Sequence, residues 1–201
     1  MDDAEGWGRL NLFAAVDGYG AFNGDVTVTM DASLGGFQAS DSWRNDISGV
    51  GKLTKQGTGT LKLLGANRFR GGTEIQAGVL EADSPTALGT GDVYVSGGTL
   101  VSNVAKSLDI DGDYTQLAGT TLEVNLGEDG AGRLDVRGDI TLAGGTLHVK
   151  FAPGSHPQAR RVIRIISGRD ELRGRFESIT VDGVKATAFY VRDGLVLRID
   201  D

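Results

Sequence analysis

The stretch KQGTGTLKLLGANRFRGGT, residues Lys55–Thr73, contains the pattern on which the fold of this chain depends. Its five glycines and its alternating apolar residues fit either a phosphate-binding loop or one coil of a structure that repeats along the chain. A Walker-type loop needs G-x-x-x-x-G-K-[ST] between a strand and a helix. The stretch has no lysine in that place and no helical pattern after it. Its glycines are therefore interpreted as structural turns.

A short apolar motif from this stretch recurs along the chain. The copies are GTLKL (Gly59–Leu63), GVLEA (Gly78–Ala82), GTLVS (Gly98–Ser102), TTLEV (Thr120–Val124), GTLHV (Gly145–Val149) and LVLRI (Leu195–Ile199). Their central leucines are Leu61, Leu80, Leu100, Leu122, Leu147 and Leu197. The steps are 19, 20, 22, 25 and then 50, which we interpret as two steps of 25. Such a period indicates a solenoid or another repeat array.

Each copy has the period of two that is typical of a short, half-buried strand. Leu61 and Leu63 share one face, while glycines such as Gly65 and Gly78 mark corners. We therefore predict an all-β fold, a right-handed single-stranded parallel β-helix in which the leucines stack about 4.8 Å apart. Turns of variable length favour this form over a left-handed hexapeptide prism. A β-propeller needs blades of roughly 40–50 residues, and a sandwich would not repeat one motif at constant phase.

The two ends of the chain depart from the repeat, so three regions are predicted. Residues 1–22 form a junction or amino-terminal cap, in which RLNLFAAVDGYG (Arg9–Gly20) has the apolar spacing of a short helix. Residues 23–159 form the coils. Residues 160–201 form a carboxyl-terminal β cap of longer, antiparallel strands, because a solenoid must close its core at the end.

Composition excludes several classes of protein. The chain has a net charge of −7 over 201 residues, so a general nucleic-acid binder is not expected. It contains no cysteine, which excludes disulfides, thiolate metal sites and cysteine nucleophiles. No apolar run approaches the ~20 residues of a membrane-spanning helix, and the acidic start MDDAEGWG is not a signal peptide.

Residues Gly51–Ala82, GKLTKQGTGTLKLLGANRFRGGTEIQAGVLEA, closely resemble the passenger-associated transport repeat of bacterial autotransporters. That motif runs approximately G-x-L-x-K-x-G-x-G-x-L-x-L-x-G-x-N-x-[YF]-x-G-x-T-x-[IV]-x-x-G-x-L. The matching positions are Gly51, Leu53, Lys55, Gly57, Gly59, Leu61, Leu63, Gly65, Asn67, Phe69, Gly71 or Gly72, Thr73, Ile75, Gly78 and Leu80. One extra residue lies around Gly71-Gly72, and looser coils extend the resemblance toward the end of the chain.

The resemblance implies a β-helical stalk of a secreted passenger at the bacterial cell surface. Its implied partners are an upstream passenger domain and a downstream outer-membrane β-barrel, and no cofactor is expected. Residues 160–201 would correspond to an autochaperone-like region that folds first. Asp2–Phe22 resembles the junction after an enzyme domain, most similar to that of acid-phosphatase-type autotransporters and next to that of subtilisin-like ones. A non-enzymatic stalk is the first hypothesis, an adhesin that binds a host receptor or glycan the second, and a β-helix hydrolase or lyase the third.

Two short motifs raise site hypotheses that repeat geometry also explains. Asp109, Asp111 and Asp113 in LDIDGDY alternate as calcium ligands can, but an EF-hand would need a later glycine and a bidentate glutamate at its twelfth position. A solvated corner is the preferred interpretation. Arg137, Gly138 and Asp139 form an RGD tripeptide, a motif that some integrin-binding passengers carry. They align with the DGD of the previous unit, so the repeat accounts for them without a receptor.

The histidines, acidic residues and arginines of the chain show no spacing that is typical of a catalytic site. His148 and His156 are the only histidines, and neither has the spacing of a catalytic triad. No acidic pair falls on one face as a glycan-cleaving pair would. A group of arginines gives the carboxyl-terminal region a local basic character that fits either a partner-facing patch or solvated strand faces: Arg160, Arg161, Arg164, Arg169, Arg173 and Arg175.

Overall fold

The computed structural model describes residues 17–127, 132–153 and 158–200, and this part of the chain is mostly β-structure. Strands β1 to β10 are Ala21–Phe22, Val26–Thr29, Ser40–Trp43, Ser48–Gly49, Leu53–Gln56, Thr60–Leu63, Thr73–Ile75, Val79–Ala82, Val93–Val95 and Thr99–Ser102. Strands β11 to β21 are Leu108–Ile110, Tyr114–Leu117, Thr121–Leu126, Leu134–Val136, Ile140–Ala143, Thr146–Phe151, Val162–Gly168, Leu172–Arg175, Ser178–Val181, Ala186–Val191 and Gly194–Ile199. The prediction of an all-β fold is confirmed.

Two long parallel sheets contain most of these strands. Sheet 1 has the order β2-β5-β7-β9-β12-β15-β18, and sheet 2 has the order β3-β6-β8-β10-β13-β16-β19. Sheet 3 has the order β11-β14-β17-β21-β20, and β1 pairs with β4. Each turn of the chain therefore adds one strand to sheet 1 and one to sheet 2, directly beside those of the previous turn. This order is that of stacked coils, as in a parallel β-helix.

A column of leucines runs through sheet 2, as the repeat predicts. Neighbours in the column are paired by strand register, and all are fully buried: Leu61, Leu80, Leu100, Leu122 and Leu147. Burying each such side chain contributes about 1.5–3 kcal/mol, and a single coil would leave these residues exposed on both edges. The stack of coils is thus the unit that makes the core.

The last position of this column differs from the prediction. Leu147 pairs with Ile179 of β19, and Leu197 lies instead in β21, opposite Ile163 of β17. The expected double step of 25 residues is therefore wrong. That prediction assumed that the parallel coils continue to the end of the chain. Instead, β21 runs antiparallel to β17, so Leu197 does not belong to the leucine column.

Antiparallel pairing appears at the carboxyl-terminal end, as expected. Strand β21 pairs antiparallel with both β17 and β20. Val191 and Gly194 are paired residues, so only Arg192 and Asp193 connect β20 to β21. Two strands that pair with each other through a two-residue connection must run antiparallel, which explains why the parallel winding stops there. The region boundaries at residues 22/23 and 159/160 remain predictions.

Helical structure in the described residues is limited to one connection between β2 and β3. It consists of a 3₁₀ turn at Ala32–Leu34 and helix α1 at Gly36–Ala39. Asp31 caps the turn, since its Oδ1 accepts a hydrogen bond from the amide of Ser33 at 2.9 Å. The short helix predicted within Arg9–Gly20 lies mostly outside the described residues, which begin at residue 17. Within the described ranges, no helix is long and apolar enough to cross a membrane.

Candidate functional site

The segment around Asn67 ties three successive coils together. The Asn67 side chain is fully buried. Its Oδ1 accepts a hydrogen bond from the amide of Ile47 at 2.8 Å, and its Nδ2 donates to the carbonyl of Ala87 at 2.6 Å. These partners lie 20 residues before and 20 residues after it. Because a buried polar group that loses its partner costs about 1–3 kcal/mol, this asparagine fixes the spacing of three coils.

Glycines at one corner of the stack allow the backbones of neighbouring coils to approach closely. Gly57, Gly78 and Gly98 occupy this corner in successive coils with φ values of 71°, 71° and 69°. A Cβ at Gly78 would lie 2.3 Å from the carbonyl oxygen of Gly57, and a Cβ at Gly98 would lie 2.3 Å from that of Gly78. Both the left-handed backbone and the short distance require glycine.

Lys55 is a buried cation next to this corner. Its side chain is fully buried, and its Nζ donates to the carbonyls of Gln56 at 2.8 Å, Gly57 at 3.2 Å and Ala77 at 3.4 Å. Burial lowers the pKa of Lys55 below its ordinary value. Three backbone oxygens from two coils thus replace the water that the ammonium group loses. Sequence reasoning placed Lys55 in the repeat but missed its burial, although it shares the inward phase of Leu53.

The remaining repeat residues lie in the core or at its corners. Those with fully or nearly fully buried side chains are Leu61, Leu63, Phe69, Thr73, Ile75 and Leu80. The others are glycines at corners where the backbones of two coils come close together. A Cβ atom added at any of them would lie within 2.6 Å of a backbone atom of another coil: Gly57, Gly59, Gly65, Gly72 and Gly78. Thr73 also donates from Oγ1 to the carbonyl of Leu88 at 2.9 Å. All of these contacts bind one coil to the next.

The three aspartates considered as metal ligands have separate partners. Asp109 accepts a hydrogen bond from Ser107 Oγ at 2.8 Å, and Asp111 forms an ion pair with Arg137. Asp113 Oδ1 accepts a hydrogen bond from the amide of Asp139 at 2.8 Å. In the described ranges, no three His, Cys, Asp or Glu side chains are grouped in a way that could hold a metal ion.

The RGD residues contact neighbouring coils through each of their three positions. Arg137 pairs with Asp111, and the Asp139 carboxylate lies 3.6 Å from Arg173 Nη1. A Cβ at Gly138 would lie 2.2 Å from Asp113 Oδ1, so the glycine makes room for that carboxylate. This geometry supports a role in coil stacking, which is the interpretation that the sequence favoured, and the alternative of receptor binding is untested.

His148 lies on the outer face of sheet 2 between two carboxylates. Its Nε2 is 2.8 Å from Asp182 Oδ1, and its Nδ1 is 3.5 Å from Glu123 Oε2. With both ring nitrogens facing carboxylates, the imidazole is not oriented toward a hydroxyl nucleophile. Asp182 follows β19, so the contact joins the last strand of sheet 2 to β16. His156 lies outside the described residues.

The basic residues of the carboxyl-terminal region are all exposed: Arg160, Arg161, Arg164, Arg169, Arg173 and Arg175. Arg164 forms an ion pair with Asp193 at 3.0 Å, and the Arg175 guanidinium lies 5.5 Å from the centre of the Tyr190 ring. Arg164 lies in β17 of sheet 3, whereas Arg173 and Arg175 lie in β18 of sheet 1, and a partner-facing role for these arginines stays a prediction.

Comparison with known proteins gives one family match and several relatives. Residues 53–82 match the Passenger-associated-transport-repeat. The chain is similar to the "Adhesin BmaC autotransporter" of Brucella suis, with 32% identity over 77% of this chain and 6% of that protein. It is also similar to an "Extracellular serine protease" of Serratia marcescens, with 35% identity over 50% of this chain and 12% of that protein. The "Neisserial autotransporter lipoprotein NalP" of Neisseria meningitidis is 38% identical over 40% of this chain and 7% of its own length.

The matched region thus spans only a small fraction of each of these relatives. The buried residues of the repeat at residues 53–82 include Asn67 and Thr73, which form hydrogen bonds with other coils.

Proposed function

Because this chain is a segment of an autotransporter passenger, we propose that it serves as a non-enzymatic stalk that supports an upstream domain at the bacterial cell surface. The observation that carries the proposal is the use of the repeat residues. Asn67, Lys55 and the corner glycines all bind one coil to the next. Their chemistry is therefore committed to building an extended stack rather than to a ligand.

We propose further that this stalk folds from its carboxyl-terminal end. The β20–β21 hairpin closes through two residues, whereas neighbouring strands of sheets 1 and 2 are about 20 or more residues apart in the chain. Local pairs form before distant ones because less loop entropy is lost. Once β21 has paired with β17, the exposed edge of β17 can receive β14, and coils can then add one at a time.

A matched pair of variants tests this order of folding. Leu197 in β21 and Leu61 in β6 are both fully buried leucines. If the carboxyl-terminal strands nucleate folding, Leu197→Ala slows refolding, while Leu61→Ala mainly accelerates unfolding. Stopped-flow fluorescence across urea concentrations measures both rates. The reverse pattern, with slow refolding of Leu61→Ala alone, would refute the proposed direction.

The stack is proposed to wind in the right-handed sense. Its parallel strands are joined by crossover connections, which are right-handed in about 98% of parallel β-crossovers of the same sheet. A crystal structure of this chain would show the handedness directly, and a left-handed path from β6 to β8 would contradict the proposal.

The parent protein and its partners are also proposals. The stalk would join an upstream passenger domain to a downstream outer-membrane barrel. An acid-phosphatase-type parent and a subtilisin-like parent are both retained, and the similarity to an extracellular serine protease supports the second. Assays of this chain for phosphatase, protease and glycan-cleaving activity test the stalk proposal, because robust turnover of any of these substrates would contradict it.

An adhesin role is the second candidate. It is supported by the similarity to an adhesin autotransporter over 77% of this chain. Saturable binding of the purified chain to host cells, competed by unlabelled chain, would favour this candidate. The Arg137→Ala variant would then show whether the RGD residues take part.

A further inference from the structure

A polar groove of about 430 Å³ lies on the outer face of sheet 3, across β11, β14 and the end of β17. Its lining contains serines, aspartates and arginines, chiefly Ser107, Asp109, Arg133, Asp135, Ser167 and Arg169. None of these residues belongs to the transport repeat at residues 53–82. We propose that this groove binds an acidic saccharide, with the sugar hydroxyls on the aspartate and serine side chains and the carboxylate on Arg169.

A row of oxygen groups crosses the floor of the groove. Strand register places Asp109 beside Asp135 and Asp135 beside Ser167. Neighbouring strands are about 4.8 Å apart, so the three groups extend over about 10 Å, a length suited to a short oligosaccharide rather than to a single small ion. Carboxylates and hydroxyls in such a row accept and donate the hydrogen bonds that sugar hydroxyls need.

Two of these side chains are already held in position by neighbours. Ser107 Oγ donates to Asp109 Oδ1 at 2.8 Å, and Arg133 Nε donates to Asp135 Oδ1 at 2.7 Å. Within the described ranges, no hydrogen bond reaches Oδ2 of either carboxylate, so both of these oxygens can accept one from a ligand. Groups that are fixed before binding lose less entropy when the ligand arrives.

Arg169 supplies the preference for an acidic ligand. It is exposed at the rim of the groove, and in the described ranges its side chain has no ion pair or hydrogen bond. Arg133 and Arg137 also line the groove but are paired with Asp135 and Asp111. A ligand carboxylate can therefore take both N–H groups of one edge of the Arg169 guanidinium without breaking an existing pair.

Titration of the whole chain with galacturonate di- and trisaccharides, followed by calorimetry and by amide chemical shifts, tests the proposal. The acidic sugars should shift the amides of residues 107–109, 133–137 and 167–169, while the matching neutral galactose oligomers should bind more weakly. Arg169→Ala should weaken binding of the acidic sugar about ten-fold or more, because a charge-assisted pair is lost. Ser167→Ala should weaken binding of both sugars.

Arg192→Ala is the matched control, because Arg192 is an exposed arginine of the β20–β21 turn, which does not line the groove. It should bind as the wild type does, and all three variants should keep the wild-type unfolding midpoint. Equal binding of acidic and neutral sugars, wild-type affinity in Arg169→Ala, or binding of calcium but of no saccharide would each overturn the proposal. The stalk proposal does not depend on this groove and survives any of these outcomes.

Discussion

The coils between Leu53 and Leu126 and the edge strands at the carboxyl-terminal end, β19 and β20, bury their inward side chains to different extents. In the coils, the column residues of sheet 2 are fully buried. In the last strands, the inward residues Ile179 and Val181 of β19 are only partly buried. The coils have a parallel neighbour on each side, whereas β19 and β20 are edge strands of their sheets. Burial in this molecule thus depends on neighbours above and below rather than on the residue type.

The same comparison separates equilibrium stability from folding order. The central coils have the more complete core, but each of their strand pairs closes a long loop. The carboxyl-terminal edge strands β19 and β20 have a less complete core, yet β20 belongs to a hairpin that closes through only two residues. We therefore expect core substitutions to lower the free energy of unfolding most in the central coils. We expect the β20–β21 hairpin and its neighbours to determine the folding rate.

The largest effect is expected from a matched pair of core truncations on one column. Leu100→Ala, in the fully buried part of the column, should lower the free energy of unfolding by about 2–5 kcal/mol. Ile179→Ala, at the partly buried end, should cost less than half as much. Urea unfolding measures both, and equal costs would show that burial in the stack is not what distinguishes the two regions.

A second pair of variants distinguishes the effect of close contact between coils from the effect of a left-handed backbone conformation. Gly78 has φ 71° and a backbone oxygen within 2.3 Å of a notional Cβ, whereas Gly183 has φ 76° and nothing within 4 Å. Gly78→Ala should cost about 3 kcal/mol, and Gly183→Ala should cost about 1 kcal/mol from its backbone conformation alone. Thermal unfolding of both variants tests this, and similar losses would contradict the role of close coil contact.

Lys55→Met should cost about 2 kcal/mol near neutral pH, because three carbonyls lose their shared donor. The pKa of Lys55 is lowered by burial, so the unfolded chain binds a proton more readily than the folded chain as the pH approaches 10.5. The wild type should therefore gain stability relative to Lys55→Met as the pH rises from the lowered pKa toward that value.

Urea unfolding from pH 7 to 10.5 checks the dependence on Lys55. Tyr114 has a pKa raised by burial and acts equally in both proteins, so the difference between them isolates the lysine. If the difference in the free energy of unfolding between the wild type and Lys55→Met stays constant from pH 7 to 10.5, burial does not lower the pKa of Lys55.

The smallest effect is expected at the last strand of sheet 2. His148→Gln replaces the imidazole that contacts Asp182 and should cost about 0.5 kcal/mol, since solvent-exposed polar contacts of this kind contribute little. Amide exchange should increase in β19 and remain unchanged in β6 and β8. Lys62→Gln, which removes the partly buried Lys62–Glu81 ion pair in the central coils, is the matched control. Exchange that spreads into the central coils of His148→Gln would show tighter coupling than the structure implies.

The sequence predicted the central coils well because every coil there obeys the same constraint. Leu61, Leu80 and Leu100 repeat because each meets its own equivalent above and below. The prediction for Leu197 was wrong because spacing alone does not reveal where a chain reverses, and the Arg192-Asp193 turn reverses it. The groove on sheet 3 was also missed, since Asp109, Asp135 and Ser167 become neighbours only through strand register.

Pulse-labelled hydrogen exchange during refolding is the most direct test of the proposed stalk and its direction of folding. After dilution from urea, amides of β17, β20 and β21 should become protected first, followed by β14 and then by earlier coils in reverse chain order. Protection that appears first in β5 to β8, with the carboxyl-terminal strands last, would contradict folding from that end.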